Sequence, residues 1–446
     1  QYLLECVVHA FPDEHNIACM NLLLDACSKL QSNVDVKMIF ISLMQKLAKY
    51  VENAKDEKNI LDSTQKIFNI VKGNINKIMN EILNFYKGKK VFLTGHTGFK
   101  GTWLSRILIL AGAEVTGYSL EPSTNPSLFE QTKTASQMKS IIGDIRDGEK
   151  LKTALVEAKP DIVLHLAAQP IVRTSYKDPV GTYESNVMGT VNILEAVRAC
   201  DTVKSFVNIT TDKVYLNKEW AWGYRENEEL CGYDPYSNSK SCSELVTYSY
   251  RNSFFNEENS PAISTARSGN VIGGGDYATD RIIPDCIRAV EEGKEIILRN
   301  PNSTRPYQHV LECLRGYLTL AKAQYENKSF VGSYNFGPDD ESCVTTGQLA
   351  TLFCENWGNG AAWKNVSEAN APHEANFLKL DCSKSKTVLG WYPQWGIRDA
   401  MKKIVEWEKA VQSGVSAAET TDKQIKEYSL MLTDTTQTLI DEVKKK

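Results

Sequence analysis

Tyr236 and Lys240 form the residue pair whose chemistry is easiest to name from the sequence. They enclose the segment YSNSK at 236–240, a spacing that places both side chains on one face of a helix. A nearby cation stabilises a phenolate, so Lys240 is expected to lower the pKa of Tyr236 toward neutrality. Such a tyrosine can take the proton of a hydroxyl group while a hydride leaves the same carbon. The pair therefore indicates oxidation of an alcohol, and a chance pair on a surface helix is the alternative.

A second titratable pair follows an apolar run that predicts a strand at 205–210. Thr211 comes at the end of this strand, where its hydroxyl could bond to the alcohol being oxidised. Asp212 and Lys213 come next and supply an acid and a base. Simple dehydrogenases and epimerases have less need of such a pair. A sugar dehydratase needs it, because carbon 5 must lose a proton while the carbon-6 hydroxyl leaves as water. The pair therefore favours dehydration, with a surface Asp-Lys turn as the alternative.

The segment TGHTGFKG at 94–101 predicts a binding loop for a dinucleotide. An apolar strand precedes it, and residues with apolar helical spacing follow it. Gly95 can take the tight turn, Gly98 lets the backbone approach a pyrophosphate, and Gly101 lets the helix pack on the strand. N–H groups at the start of the helix then face the anion. A merely tight turn between strand and helix is the alternative.

Two further strand ends extend the predicted cofactor cleft. Asp144 could accept a hydrogen bond from an adenine amino group while Ile145 packs on the ring, although Asp144 could equally be a helix N-cap. Small residues in HLAAQ at 165–169 leave room for a ribose and a nicotinamide. The predicted cofactor-binding residues are Gly95, Thr97, Gly98, Phe99, Gly101, Asp144, Ile145, Ala167, Ala168, Gln169, Tyr236, Lys240 and Arg267.

The acidic residue that usually binds a ribose at the end of the second strand is missing. That strand continues as VTGYSLEP at 115–122, so either Ser119 or Glu121 must substitute. We predict NAD as the cofactor, although these residues do little to select NAD over NADP.

Four residues beyond 268 are candidates for binding a nucleotide sugar. Asn270 and Arg281 lie in or just after the glycine-rich segment SGNVIGGGD at 268–276, and either could bind phosphate. A glycine hinge without a ligand is the alternative. Arg305 could clamp a diphosphate through two parallel hydrogen bonds. His309 could contact the ligand or be satisfied by a neighbouring group.

The strands and helices that must position these residues are predicted to form an α/β fold. Apolar strand candidates at 90–94, 114–118, 139–142, 162–166, 205–210 and 263–267 alternate with helical patterns at 103–110, 189–198 and 239–250. This alternation predicts a Rossmann-type, doubly wound parallel sheet. We divide the chain into a helical appendage at 1–85, a cofactor-binding domain at 86–268, and a substrate lobe at 269–428 with strands returning to the sheet. A tail follows at 429–446.

Bulk properties exclude several classes of function. The net charge of −4 gives no basic character that would indicate nucleic acid binding. No apolar run approaches the length of a membrane span. The 11 cysteines lack paired C-x-x-C spacing, which favours free thiols in a reducing cytoplasm over disulfides or a metal site.

The first part of the chain resembles a different family from the rest. The opening segment YLLECVVHAFPDEH, together with residues 22–37, resembles part of the helical solenoid of the vacuolar protein sorting-associated protein 35 family, a retromer component. The resemblance covers about residues 1–52, too few helical hairpins for a stable solenoid alone. We therefore assign no retromer function to it, and retromer subunits remain a remote choice of partner.

From about residue 86 to residue 428 the chain resembles the CDP-glucose 4,6-dehydratases, a family of extended short-chain dehydrogenases. The segments that carry the resemblance are TGHTGFKG, HLAAQPIVRTSY, ESNVMGTVNILEA, TTDKVYLNKEWAWGYRE, DPYSNSK, ARSGNVIGGGD, DRIIPD and RPYQHVLE. Related dTDP-glucose dehydratases carry Thr-Asp-Glu where this chain has Thr211-Asp212-Lys213.

The resemblance implies an NAD-dependent lyase that acts on CDP-glucose and forms a homodimer. Tyr236 would be the base for oxidation at carbon 4, and Lys240 its pKa-lowering partner. Thr211 would orient the hydroxyl, and Asp212 and Lys213 would serve the elimination. A hexose 4-epimerase or another nucleotide-sugar dehydratase is the alternative within the same fold, and a sorting-complex scaffold is the alternative from a different class.

Overall fold

The computed structural model describes residues 82–366 and 377–430. The helices predicted in the appendage, and the tail after residue 430, lie outside these residues. Leu83–Ile425 form one compact unit. None of the helices that the structure describes has the length and apolar character needed to span a bilayer.

The strands of the described residues are β1 (Lys90–Thr94), β2 (Glu114–Ser119), β3 (Lys139–Ile142), β4 (Ile162–His165), β5 (Ser205–Ile209), β6 (Ala262–Ser268), β7 (Val271–Ile272), β8 (Ile296–Leu298), β9 (Thr304–Pro306), β10 (Gln308–His309), β11 (Ser333–Phe336), β12 (Cys343–Thr345) and β13 (Trp363–Asn365). The α-helices are α1 (Phe99–Leu110), α2 (Leu128–Gln131), α3 (Gly148–Ala158), α4 (Val172–Lys177), α5 (Pro179–Tyr183), α6 (Gly189–Arg198), α7 (Pro235–Phe254), α8 (Ile282–Glu291), α9 (Val310–Glu326), α10 (Thr346–Trp357), α11 (Ser383–Leu389), α12 (Ile397–Gln412) and α13 (Ala417–Leu430). A π-helical turn, Glu184–Met188, links α5 to α6.

Seven strands form one parallel sheet in the order β11-β6-β5-β4-β1-β2-β3. The strand order reverses between β1 and β4, which in open α/β sheets is where ligands bind. The predicted doubly wound parallel sheet is therefore confirmed. The strands read as continuous apolar runs because both faces of a parallel sheet are covered; Val91, Phe92 and Leu93 of β1 are all buried.

Two hydrophobic clusters hold the compact unit together. One joins Phe92, Val163 and Phe206 of the sheet to apolar residues of α3 and α6. The other joins apolar residues of α8, α10 and α12 with the short strand β8 and with Tyr307, which precedes β10. The second cluster builds the smaller lobe, whose two-stranded sheets are β7 with β10, β8 with β13, and β9 with β12.

Helix α7 begins four residues earlier than the sequence pattern indicates. Asp234 is its N-cap and accepts a hydrogen bond from the backbone N–H of Ser237 at 3.0 Å, and Pro235 occupies the first turn. A proline there leaves no N–H without a partner, so the helix can start at this point. The early start places Tyr236 in the first turn and Lys240 in the next.

Candidate active site

A cavity of about 1160 Å³ opens at the carboxyl ends of the parallel strands. Gly95 after β1, Ser119 at the end of β2, Gly143 after β3, Leu166 after β4 and Thr210 after β5 all line it. The sheet therefore brings together residues that are far apart in the sequence.

The glycine loop wraps the start of α1 at one end of this cavity. Gly95 has a φ of 77°, and a Cβ atom on it would lie 2.8 Å from the backbone nitrogen of Ala167. A Cβ atom on Gly101 would overlap the carbonyl oxygen of Gly95. Gly98 differs, because its nearest such neighbour is 3.5 Å away and no side chain caps the helix that it starts. Free N–H groups of the first turn beside open space fit an anionic diphosphate.

Thr97 and Ser119 meet at the end of β2, where an acidic residue is missing. The Thr97 hydroxyl donates to the carbonyl oxygen of Leu120 at 2.8 Å and lies 2.9 Å from the Ser119 hydroxyl. Since Thr97 has used its proton, Ser119 donates to Thr97 and keeps its own lone pairs free for a ribose hydroxyl. Ser119 and Glu121 both line the cavity, so either could bind the ribose in place of the missing acidic residue.

Asp144 and Ile145 line the cavity beyond β3. The Asp144 carboxylate accepts from the backbone N–H of Arg146 at 2.9 Å and pairs with its guanidinium at 2.6 Å, which lowers the pKa of Asp144. The helix N-cap considered for Asp144 is instead Asp147, which accepts from the N–H of Lys150 at 3.0 Å.

Ala167, Ala168 and Gln169 line the cavity after β4. The side chain of Gln169 is held by the protein: its amide nitrogen donates to Thr182 at 2.9 Å and its carbonyl oxygen accepts from the N–H of Ile171 at 2.6 Å. These bonds hold Gln169 against α5 and Ile171, while the N–H of Ala167 donates to the hydroxyl of Thr94, the first residue of the glycine segment, at 3.1 Å.

Tyr236 and Lys240 both line the cavity, but their electrostatics differ from the prediction. Burial raises the pKa of Tyr236 to about 12, while the Thr211 hydroxyl and the charge of Arg281 act to lower it. Burial, with the charge of Lys100 added, lowers the pKa of Lys240 to about 8, and its Nζ donates to the carbonyl oxygen of Ile209 at 3.2 Å. The prediction that Lys240 brings the pKa of Tyr236 toward neutrality is therefore wrong for the protein alone, because desolvation of the phenol outweighs the nearby cations.

Thr211, Asp212 and Lys213 line the cavity just after the end of β5. The Thr211 hydroxyl donates to Oδ1 of Asp212 at 3.0 Å, whereas Oδ2 of Asp212 is buried with no hydrogen-bond partner among the described residues. Burial raises the pKa of Asp212, and Lys213, Thr211 and Arg305 oppose that shift. A raised pKa favours the protonated form, which a carboxyl group needs in order to act as an acid.

Asn270, Arg281 and Arg305 line the part of the cavity built by the smaller lobe. Arg281 pairs with Asp276 at 2.9 Å, and Nη1 of Arg305 donates to the carbonyl oxygen of Thr304 at 3.0 Å. The two guanidinium groups reach the same cavity from the start of α8 and from β9.

Two predicted site residues do not line the cavity. Arg267, proposed for the cofactor, lies inside β6, where it is only 2 % exposed and pairs with Glu244 at 2.9 Å. His309, proposed for the substrate, is the N-cap of α9; its Nδ1 accepts from the N–H of Leu311 at 3.3 Å, and its ring packs on Trp395. Both are corrections: a strand interior buries Arg267, and His309 is buried as the cap of α9, with its Nε2 lacking a hydrogen-bond partner among the described residues.

Lys100, Arg173 and Asp276 line the cavity but were not named from the sequence. Lys100 carries the clearest signal in the sequence, because it lies within the glycine segment TGHTGFKG itself. Arg173 and Asp276 carry no local signal, since only the tertiary fold brings them to the cavity.

Comparison with known proteins places the chain in a family. Residues 92–404 match the family model described as GDP-mannose 4,6 dehydratase, and residues 1–95 match that of vacuolar protein sorting-associated protein 35. The chain is 51% identical to a CDP-glucose 4,6-dehydratase of Salmonella typhimurium, over 77% of this chain and 97% of that protein.

Solved structures support the same fold. An epimerase of Methanothermobacter thermautotrophicus superposes with a TM-score of 0.64 at 20% identity, covering 76% of this chain and 98% of its own. The UDP-glucuronic acid 4-epimerase of Bacillus cereus, in complex with UDP-glucuronic acid and NAD, has a TM-score of 0.63 at 24% identity, covering 72% and 99%.

The resemblance stated for the opening segment is confirmed and extends further than residue 52. The match to vacuolar protein sorting-associated protein 35 runs to residue 95, although residues 90–94 form β1 of the parallel sheet. The larger match covers more than half of the chain and includes the cavity, so the chain belongs to the GDP-mannose 4,6-dehydratase family.

Proposed function

We propose that this chain is an NAD-dependent CDP-glucose 4,6-dehydratase, a hydro-lyase that forms CDP-4-dehydro-6-deoxy-glucose and water. The observation that carries the proposal is the position of Asp212 and Lys213, which share one cavity with Tyr236 and Thr211. Two sets of proton-transfer groups on one cavity fit an oxidation followed by an elimination. The 51% identical Salmonella protein bears the same name as the proposed activity.

The residues at the glycine loop fit NAD. Gly98 leaves space beside the uncapped start of α1 for the diphosphate, and Ser119 offers acceptor lone pairs to a ribose. Asp144, Ile145 and the segment 167–169 would hold the adenine and nicotinamide ends, and Lys240 would bond to the second ribose. When bound, NAD supplies an acceptor for the hydride of carbon 4 and returns that hydride to carbon 6.

Tyr236 and Thr211 would carry the oxidation. Thr211 bonds to the carbon-4 hydroxyl, and Tyr236, as phenolate, takes its proton. Because burial raises the pKa of Tyr236 to about 12 in the protein alone, despite the charge of Arg281, binding of a cationic nicotinamide must favour the phenolate.

Asp212 and Lys213 would carry the elimination. Lys213 takes the proton of carbon 5, which the new carbon-4 ketone has made acidic. Asp212 gives its proton to the carbon-6 hydroxyl as the carbon–oxygen bond breaks, and water leaves. Burial raises the pKa of Asp212, which favours the protonated form that this step needs. Arg281, Arg305 and Asn270 would bind the diphosphate of the substrate.

Mass spectrometry of CDP-glucose incubated with the purified chain and NAD tests this function. We expect loss of one water from the sugar in wild type. In Asp212→Asn we expect turnover to fall by about 10²–10⁴-fold, because the acid is lost, while the oxidised sugar that still carries its carbon-6 hydroxyl accumulates. A product of unchanged mass that NMR spectroscopy shows to be inverted at carbon 4 would instead identify a 4-epimerase.

A homodimer is part of the proposal. Helices α5 and α7 pack together and leave apolar side chains exposed, with Val180, Leu245 and Tyr248 between 53% and 66% exposed. Apolar patches of this kind mark protein interfaces. Light scattering is expected to give the mass of two chains for wild type and of one chain for Leu245→Glu.

We also infer a cytoplasmic protein and retain the division at residue 268 between cofactor domain and substrate lobe. All eight cysteines of the described residues are free, which fits a reducing compartment. The two family matches meet at residues 92–95, which supports a fusion of two gene segments. Sequencing of a full-length transcript that spans the codons for residues 80–100 would test the fusion.

A further inference from the structure

Lys100 places an ammonium group in the wall of the active-site cavity. The residue lies in the first turn of α1, and its side chain turns away from the helix toward β6 and α9. Its Nζ donates to the Ser268 hydroxyl at 3.2 Å and to the Tyr317 hydroxyl at 3.2 Å. Ser268 and Tyr317 are both buried and also bond to each other at 2.5 Å. The ammonium group is therefore held in a defined place.

Both hydrogen-bond partners of Lys100 are neutral. None of the ion pairs found among the described residues includes Lys100. The charged and titratable groups that influence it are Asp212, Arg281 and the Cys313 thiol, and of these only Asp212 is a carboxyl group. A half-buried ammonium group without an anionic partner interacts strongly with any charge that forms nearby, since the protein screens it less than water does.

Asp212 approaches the same segment from the other end. Gly269 follows Ser268 directly, and a Cβ atom on Gly269 would lie 3.0 Å from Oδ2 of Asp212. This oxygen is buried without a hydrogen-bond partner in the part of the chain that the structure describes. The Ser268-Gly269 segment thus connects the hydroxyl that holds Lys100 to the unpartnered oxygen of the proposed acid.

We propose that Lys100 is a positioning residue of the elimination step, where its ammonium group stabilises the carboxylate that Asp212 leaves behind. The inference rests on the proposed dehydratase function. Asp212 transfers its proton to the carbon-6 oxygen, the carbon–oxygen bond breaks, and water departs, so a negative charge forms on Asp212. Lys213 and Arg305 also face this carboxyl group, but Lys213 is engaged at carbon 5 and Arg305 at the diphosphate.

The electrostatics of the site agree with this role. Burial is the largest influence on both groups, raising the pKa of Asp212 and lowering that of Lys100; against it, Lys100 acts to lower the pKa of Asp212 and Asp212 acts to raise that of Lys100, as expected for a cation and an acid that favour each other's charged forms. Lys100 also lowers the pKa of Lys240 on α7. One side chain therefore acts on the acid of the elimination and on the lysine beside the base of the oxidation.

Lys100→Met is the variant that tests the inference, because methionine keeps the length of the side chain and removes its charge. We expect Asp212 to become a weaker acid, with dehydration slowed about tenfold and the basic limb of the pH–rate profile shifted up by about one unit. Rapid-quench mass spectrometry should show more oxidised sugar that has not lost water. The melting temperature should change little, because Ser268 and Tyr317 keep the hydrogen bond that they make to each other.

The controls separate this inference from its rivals. Lys152→Met, which removes an exposed lysine of α3, should behave as wild type. An unchanged pH profile and an unchanged proportion of undehydrated sugar in Lys100→Met would overturn the proposal. A loss of NAD affinity in titration calorimetry that alone accounts for the lost rate would make Lys100 a cofactor ligand and would also overturn it.

Two further measurements keep the test decisive. If Lys100→Met does not fold, Lys100→Gln, which can keep the bonds to Ser268 and Tyr317, is expected to give the same kinetic pattern. Wild type is assayed in parallel: if it does not dehydrate CDP-glucose, the proposed function has failed, whereas a normal wild type beside an unaffected variant refutes the role of Lys100 alone.

Discussion

At the scale of single residues, burial favours the protonated Asp212 that the elimination needs and disfavours the Tyr236 phenolate that the oxidation needs. It raises the pKa of Asp212, which helps an acid, and raises the pKa of Tyr236, which opposes a base. Cations on several elements line the same cavity, among them Lys240, Arg281 and Lys100, but burial outweighs the effect of Arg281 on Tyr236. The base is therefore expected to become active only when the ligands have completed the site.

Lys240 gives a prediction about cofactor binding. Because burial lowers the pKa of Lys240 to about 8, its ammonium form and its donated bonds are lost as the pH rises above that value. We expect the affinity for NAD to fall by up to about tenfold per pH unit above pH 8, as linkage requires for one proton. Titration calorimetry between pH 7 and pH 9.5 measures this slope. Lys240→Arg stays charged in this range, so a similar slope in that variant would contradict the assignment.

At the scale of elements, α7 supplies a row of buried polar side chains to the site. Tyr236, Lys240, Glu244 and Thr247 recur every three or four residues, so they lie along one face of the helix. Glu244 anchors this face: it pairs with Arg267 and accepts hydrogen bonds from the Thr265 hydroxyl at 2.7 Å and the Thr210 hydroxyl at 2.5 Å. The helix is thereby fixed against β5 and β6, whose ends carry the rest of the site.

Removing this anchor is expected to destabilise the fold. Glu244→Gln would leave the buried Arg267 without its counter-ion, at a cost of about 3–5 kcal/mol in the free energy of unfolding. The matched control is Glu195→Gln, whose pair with Arg198 at 2.7 Å is exposed and contributes at most about 1 kcal/mol. Urea denaturation of both variants measures the difference, and equal losses would show that Glu244 is not an anchor.

Two glycines at the start of α1 predict separable effects on stability and on binding. Gly101→Ala would push a methyl group into the Gly95 carbonyl and is expected to cost about 1–3 kcal/mol or more of stability. Gly98→Ala has room for the methyl group within the protein but places it where the diphosphate would bind. We expect Gly98→Ala to melt near the wild-type temperature and to lose NAD affinity. A Gly98→Ala variant that binds NAD normally would contradict the position proposed for the diphosphate.

At the scale of the whole molecule, the cavity is lined by residues from Gly95 to Leu378. These residues lie on elements that both hydrophobic clusters of the compact unit hold in place. The folding free energy of that unit therefore sets the population of assembled sites. Three buried histidines make this free energy sensitive to acid: burial lowers the pKa of His96 to about 4, and those of His165 and His309 to about 3.

These histidines predict loss of stability below neutral pH. The unfolded chain takes up their protons below a pKa of about 6.5 while the folded chain does not, so each costs about 1.4 kcal/mol per pH unit as the pH falls. Glu408, whose pKa burial raises to about 7, acts in the opposite direction between pH 4.5 and pH 7. His309→Asn keeps an N-cap residue and should reduce the slope of unfolding free energy against pH, measured from pH 5 to 6.5, by about 1.4 kcal/mol per unit. An unchanged slope would mean that His309 is protonated in the folded protein.

The sequence alone determined most of the fold and the position of the main chemical groups along the chain. Short apolar runs that alternate with helical patterns are typical of a covered parallel sheet, and the strands predicted at 90–94 and 139–142 agree with the observed Lys90–Thr94 and Lys139–Ile142. Glycines at 95, 98 and 101 identified the turn, and the segments at 211–213 and 236–240 identified the proton-transfer groups, because their chemistry depends on neighbours in sequence. The tertiary structure alone decided three other matters. It placed Arg267 and His309 in the interior and Lys100 at the cavity, and it set the pKa values of Tyr236 and Asp212, because burial and long-range charge depend on residues that no local spacing reveals.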